Sequence, residues 1–216
     1  MRALLRQCEH RSLKNDDGIV ATRLFTHRSE CEKRNEKALR ELPGEQRTFA
    51  ARDVARDEHA LTLLRSSCPA PASLTLKVDA QVMLIKTIDA DAGLVNGTRG
   101  VVTKLGSSAM VRVRFSNGVE RLLSPVGFTL QGAGTFACRT ALPLALGWAL
   151  SVHKSQGMSL DRLELSLRHV FECGQMYVAL SRARSLDGLA LPEGIDWSKL
   201  RAHPKVLEWH SKQALS

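Results

Sequence analysis

The sequence predicts an α/β protein whose α/β layer is interrupted by a β-rich insert. Three observations carry this. Strand-like and helix-like segments alternate at both ends of the chain. Between Leu74 and Leu123 the period changes to about five short strands in about 50 residues, the pattern of a small antiparallel barrel or sheet. After Leu142-Pro-Leu144 the alternation of strand and helix returns.

Taken in order, Met1-Arg-Ala-Leu-Leu-Arg-Gln-Cys-Glu-His10 lacks the apolar core and small-residue cleavage site of a signal peptide. It has the pattern of the middle of an amphipathic helix, so residues 1–17 are expected to be the tail of an upstream lobe. Gly18-Ile-Val-Ala-Thr-Arg-Leu-Phe25 is a buried strand by its apolar content. Ser29 and Glu32 have capping-box spacing for a helix running to about Leu42, with Glu36 and Arg40 paired four apart. Pro43-Gly44 ends it. A helix is expected from about Asp57 to Arg65, and Cys68-Pro-Ala-Pro-Ala72 is a turn or linker.

In the insert, Leu74–Val78, Gln81–Lys86, Gly100–Leu105, Ala109–Phe115 and Val119–Leu123 are the expected strands, with Asn96-Gly97 at a tight hairpin turn. Beyond it, a helix is expected from about Ala145 to Gln156, with Trp148 and Val152 one turn apart and Gly157 as its stop. Leu163–Leu167 alternates as a strand. A helix over Gly174–Arg184 presents Met176, Ala179, Leu180 and Ala183 as its apolar stripe. A strand over Leu186–Leu191 and a polar helix end the chain.

Composition narrows the function. A hydrophobic fraction of 44% with 25% charged residues is that of an ordinary globular protein. No apolar run approaches the roughly 20 residues that span a bilayer, so a membrane is not an expected partner. The formal net charge of +9 is spread along the chain and favours a polyanion, because basic side chains that neutralise phosphates release counterions. A merely basic protein has the same total. The five cysteines are odd in number and no two have metal-ligand spacing, which speaks against a disulfide scaffold or zinc module; the histidines suggest no metal site either.

Two segments carry chemistry. Ser151, His153, Lys154, Ser155 and Gln156 crowd polar side chains just before Gly157. They are either a capped polar helix end or donors for phosphate oxygens, which such side chains bind without reading base sequence. Ser181, Arg182 and Arg184 follow the apolar stretch from Gly174. Cations there suit a helix C-terminus; equally, an arginine there can be a finger that stabilises charge on a γ-phosphate.

Together, His153-Lys-Ser-Gln-Gly157 and Tyr177-Val-Ala-Leu-Ser-Arg182 resemble the late motifs of superfamily-one helicases, in wording closest to the PIF (petite integration frequency) family. The resemblance extends to Gly18–His27 with Asn35, to Ala80-Gln-Val-Met-Leu84 and to Gly93-Leu-Val-Asn-Gly-Thr-Arg-Gly100, in the family's order. It implies a second RecA-like helicase domain of P-loop-NTPase type over residues 18–80 and 138–216. A small Src-homology-3-like β-barrel insert would occupy 81–137.

The implied activity is ATP-driven DNA unwinding in the 5'-to-3' direction, serving replication, repair, recombination and telomere maintenance. Arg182 would be the finger, and Gln156 and Gly157 would face the nucleotide. Thr26, His27, Ser151, His153 and Lys154 would touch single-stranded DNA, and Arg184 would support the helix end. Forked or structured DNA would be the substrate, and nucleus or mitochondrion the compartment.

No G-x-x-x-x-G-K-[ST] occurs in the sequence. ATP and magnesium would therefore be bound mainly by a separate upstream lobe, and the chain alone is expected to hydrolyse ATP negligibly. The competing expectations are a stand-alone nucleic-acid-binding remnant without ATPase activity and a β-rich insert that serves as a protein-interaction barrel.

Overall fold

A computed structural model describes residues 2–13, 18–106, 109–132, 135–166, 174–197 and 204–213. In chain order the elements begin with α1 (Arg2–Arg6), β1 (Thr22–Phe25) and α2 (Arg28–Glu41). Next come β2 (Arg47–Ala50), β3 (Arg52–Ala55), α3 (Glu58–Ser67), β4 (Ser73–Leu76) and β5 (Gln81–Leu84). Then follow β6 (Arg99–Leu105), β7 (Val111–Phe115), β8 (Glu120–Leu123), β9 (Val126–Gly132), β10 (Thr135–Ala141) and β11 (Leu144–Leu146). The chain continues through β12 (Ala149–Ser151), β13 (Leu163–Leu165), α4 (Gln175–Leu180), β14 (Leu189–Ala190) and α5 (Pro204–Gln213).

These divide into two compact units. The first comprises Met1–Lys14, Val20–Glu32 and Ala149–Ser216, the second Asn15–Ile19 and Lys33–Trp148. The division departs from the expected boundaries. The second unit is wider than 81–137, because β3 pairs with β10 and β11 pairs with β5, which ties residues outside the expected insert to it. Residues 14–17 of the expected tail and Leu167 of the expected strand lie outside the described residues.

The first unit is built on a parallel sheet of order β12-β1-β13-β14. Leu24, Leu150, Leu163, Leu165 and Leu189 are buried in it, as interior parallel strands require. The helix expected over Ala145–Gln156 is not there. Leu144–Leu146 pairs antiparallel with β5, and Ala149–Ser151 pairs parallel with β1. Between them Gly147 approaches the Val82 carbonyl so closely that a Cβ would stand 3.0 Å from it. A short apolar run fits helix or strand equally well, and the strand partners decided this one. Residues 152–157 then turn, with Gly157 at φ +75.

The helix expected over Gly174–Arg184 stops at Leu180. The Arg182 carbonyl accepts a hydrogen bond from the Leu160 amide at 2.8 Å, and the Arg184 amide donates to the Leu160 carbonyl at 3.0 Å. That bridge pulls 182–184 out of helical register, so Ala183 leaves the stripe while Met176 and Ala179 stay buried. The capping box also fails: α2 starts at Arg28, which places Ser29 inside it, and Glu32 instead pairs with Arg28 at 2.6 Å. The other i,i+4 pair on α2 is Lys37–Glu41, not Glu36–Arg40.

The second unit holds a five-stranded sheet, β11-β5-β6-β7-β8, a three-stranded sheet, β3-β10-β9, and the ribbon β2-β4. Asn96-Gly97 makes a turn, with Gly97 at φ +97, but within a longer connection over residues 85–98 rather than a two-residue hairpin. The helix expected near Asp57 is α3: the Asp57 carboxylate caps it by accepting from the Ala60 amide at 2.8 Å. Ala60 and Leu64 of α3 pack with Ala137 of β10.

Candidate nucleotide and nucleic-acid site

The site residues expected from sequence gather at the carboxyl ends of β1 and β12. The register pairs Phe25 with Ser151, and the Val152 amide donates to the Phe25 carbonyl at 3.0 Å. Thr26-His27 therefore leaves the sheet beside the turn that carries His153, Lys154, Gln156 and Gly157. In open parallel sheets this edge is where ligands bind.

The turn is built from its own hydroxyls. The Ser155 side chain is fully buried and donates to the Val152 carbonyl at 2.7 Å, while the Ser155 amide donates to the Ser151 carbonyl at 3.1 Å. Ser151 is buried as well, and its Oγ accepts from the Lys154 amide at 3.3 Å. Ser151 thus shapes the turn from inside. His153, Lys154, Gln156 and Gly157 are exposed.

Thr26 is 7% exposed, and its Oγ1 is buried without a hydrogen-bond partner. A buried hydroxyl left unpaired is costly, and a ligand oxygen at this edge would relieve it. His27 is exposed, and its carbonyl accepts from the Cys31 thiol at 3.3 Å. Burial pushes that thiol up to about 11, against the pull of the nearby Lys154 ammonium.

Arg182 does not extend from a helix end. It sits in the turn after α4, folded back on the 152–158 segment. Its Nη1 donates to the carbonyls of Ser155 at 3.4 Å and Met158 at 3.2 Å. Its Nε donates to the Val178 carbonyl at 3.1 Å and its Nη2 to Ser181 Oγ at 2.9 Å. Four of the five guanidinium N–H groups are thereby engaged. Arg184 is exposed and pairs with Asp161 at 2.8 Å.

Ser155, Met158 and Ser181, which hold Arg182, were not singled out for that part by sequence. Main-chain carbonyls and a single serine hydroxyl leave no pattern that identifies a guanidinium seat. A second cluster, Arg23–Glu193 at 2.6 Å with Ser166 donating to Glu193 at 2.9 Å, joins residues 170 apart and also left no sequence signal.

A family model described as "DNA helicase Pif1, 2B domain" matches residues 61–105. The chain is 45% identical over 212 residues to the ATP-dependent DNA helicase PIF1 of Xenopus laevis, an alignment covering 97% of the chain. Over nearly its whole length the chain is similar to PIF-family helicases. It spans 33% of that Xenopus relative. Among solved PIF-family structures, that of Bacteroides Pif1 with ADP-AlF4 superposes with a TM-score of 0.79 at 28% identity, covering 97% of this chain and 49% of that one. Bacteroides Pif1 with ADP-AlF3 and single-stranded DNA superposes with a TM-score of 0.66 at 28% identity, covering 98% and 49%.

Proposed function

We propose that the chain is a motor lobe of an ATP-dependent DNA helicase that translocates 5'-to-3' on single-stranded DNA. Its first unit would be a RecA-like second domain and the five-stranded sheet of its second unit a Src-homology-3-like insert. Support comes from the similarity to the Xenopus ATP-dependent DNA helicase and to the Bacteroides Pif1 solved with ADP-AlF3 and single-stranded DNA. Forked or otherwise structured DNA would be the substrate, and replication, repair, recombination and telomere maintenance the settings.

The observation that carries the reading is the seat of Arg182 on the Ser155 and Met158 carbonyls. ATP would be a substrate held, with its magnesium, by a partner lobe that supplies the P-loop. Hydrogen bonds between ions are about twice as strong as neutral ones. A γ-phosphate brought to this edge would therefore compete for the guanidinium against two long bonds to carbonyls. As Arg182 shifts toward the phosphate, the 152–158 turn loses its guanidinium prop. The outward side of that same turn carries His153 and Lys154, so the state of the nucleotide alters the grip on the DNA backbone. Thr26 and His27 would add contacts from β1, and Gln156 and Gly157 would face the nucleotide.

The test is ATP turnover by the chain alone and by the chain joined to the P-loop lobe of a PIF relative. Turnover should be negligible alone and DNA-stimulated when joined, and Arg182→Ala should lower it by about 10³-fold or more. DNA-stimulated hydrolysis by the isolated chain, or undiminished turnover in Arg182→Ala, would overturn the proposal. The alternative is a nucleic-acid-binding remnant, which would bind DNA but stay inactive when joined.

A further inference from the structure

The outward face of β6–β8 carries an arrangement that folding does not explain. A register shift between Val102 and Lys104 sets Lys104 of β6 directly opposite Arg112 of β7, and Arg112 opposite Leu122 of β8. All three are exposed. Like charges directly opposite one another, with Cβ atoms about 5 Å apart, destabilise a sheet. Neither the Lys104 ammonium nor the Arg112 guanidinium has a hydrogen bond or ion pair among the described residues.

The acid on β8 does not relieve them. Glu120 lies opposite Arg114 and accepts a hydrogen bond from Thr103 Oγ1 at 2.7 Å. Arg47, whose guanidinium donates to the Gly106 carbonyl, extends the row past Lys104. Arg47 and Lys104 both line a recess of about 300 Å³, together with Glu45, Val78 and Thr103.

We propose that this row, Arg47–Lys104–Arg112, is a docking surface for the sugar–phosphate backbone of duplex nucleic acid. A polyanion would relieve the repulsion between Lys104 and Arg112. Duplex DNA presents one negative charge per about 1.7 Å of axis, dense enough to engage cations on adjacent strands together. The face offers no base-stacking platform: its outward residues are Thr103, Lys104, Arg112, Arg114, Glu120 and Leu122, while Phe115 points inward and is buried. Single strands are held largely by stacking on aromatic rings, so the surface favours a duplex. It is separate from the single-strand edge proposed above and does not depend on ATP hydrolysis.

The experiment measures anisotropy of a labelled mixed-sequence duplex and a labelled oligothymidine strand against salt, for the chain and for Lys104→Gln/Arg112→Gln. The double variant should lose two phosphate contacts. Its plot of log affinity against log salt for the duplex should be shallower by about 1.8, at about 0.9 per phosphate. Oligothymidine affinity should change less than about twofold, and the variant should melt no lower than the parent because repulsion has been removed.

Lys104→Glu serves as a second variant: it creates a cross-strand ion pair with Arg112 and so favours folding, yet it should weaken duplex binding further. An unchanged duplex slope in the double variant would overturn the proposal, as would an equal loss on oligothymidine. Competition by polyglutamate as effective as unlabelled duplex would overturn the assignment to nucleic acid. None of these outcomes touches the single-strand edge, which His153→Ala/Lys154→Ala tests separately.

Discussion

Removing the Asp53 carboxylate should destabilise the second unit more than any surface substitution. Arg139 of β10 lies opposite Asp53 of β3, and the two form a bidentate pair, Nε to Oδ1 and Nη2 to Oδ2, each 2.7 Å. The third arm, Nη1, donates to the Ala70 carbonyl at 2.8 Å. The Arg139 side chain is 4% exposed and that of Asp53 19%. In Asp53→Ala the guanidinium would stay buried with only the Ala70 carbonyl and the Cys68 side chain beside it, and no counter-charge. Leaving such a charge unpaired costs about 3–5 kcal/mol; Asp53 is partly wet, so the lower end, about 3 kcal/mol, is expected.

At roughly 2–4 °C per kcal/mol for a chain of this size, the melting temperature should fall by about 6–12 °C. Asp53→Ala combined with Arg139→Met should cost less than Asp53→Ala alone, because no unpaired charge remains.

The pH dependence has a definite sign. The hydrogen bond from Arg139 holds the Asp53 carboxyl below its usual range, and the same pairing raises Arg139. A depressed carboxyl contributes stability that is full above its unfolded value, about 3.9, and is lost as pH falls through the lower native value. Thermal and urea melts at pH 5, 6 and 7 should therefore show the same gap between parent and Asp53→Ala, narrowing only below about pH 4. A cost under about 1 kcal/mol, or a gap already closing at pH 6, would refute the reasoning.

Two further outcomes are expected. Gly100→Ala should destabilise strongly, since its Cβ would meet Val113 Cγ1 at 2.6 Å and the Arg114 carbonyl at 2.8 Å; Gly157→Ala has open space and should cost only the left-handed backbone penalty of about 1–2 kcal/mol, reduced in Gly157→Asn. Urea melts of the three variants rank them. The Cys31 thiol, held near 11 by burial, should resist iodoacetamide at pH 8 in the folded chain and react once unfolded, as mass spectrometry of the labelled peptide would read.

Much of the fold was legible where the signal was local. The helix from about Asp57, the Pro43-Gly44 stop and the alternation of Val111-Arg-Val-Arg-Phe115 are written in adjacent residues, and the structure follows them. The strands β2 and β3 escaped notice. Arg47–Ala50 and Arg52–Ala55 are mostly exposed and short, so their pairing with β4 and β10 leaves little apolar period to read.

By itself the sequence carried the resemblance to the PIF family, through the order of its motifs, and the α/β character of the chain with its β-rich middle. It also determined which residues meet at the proposed site, since Thr26, His27, His153, Lys154, Gln156 and Arg182 all belong to those motifs. Only the tertiary structure decided that Ala149–Ser151 is a strand, because a parallel partner 126 residues away in β1 supplies its hydrogen bonds. It also decided that Ser151 and Ser155 face inward and that Arg182 rests on carbonyls instead of reaching out. The physical reason is common to these cases. Apolar and hydroxyl side chains satisfy several local conformations at similar cost, and hydrogen bonds between distant segments select one of them.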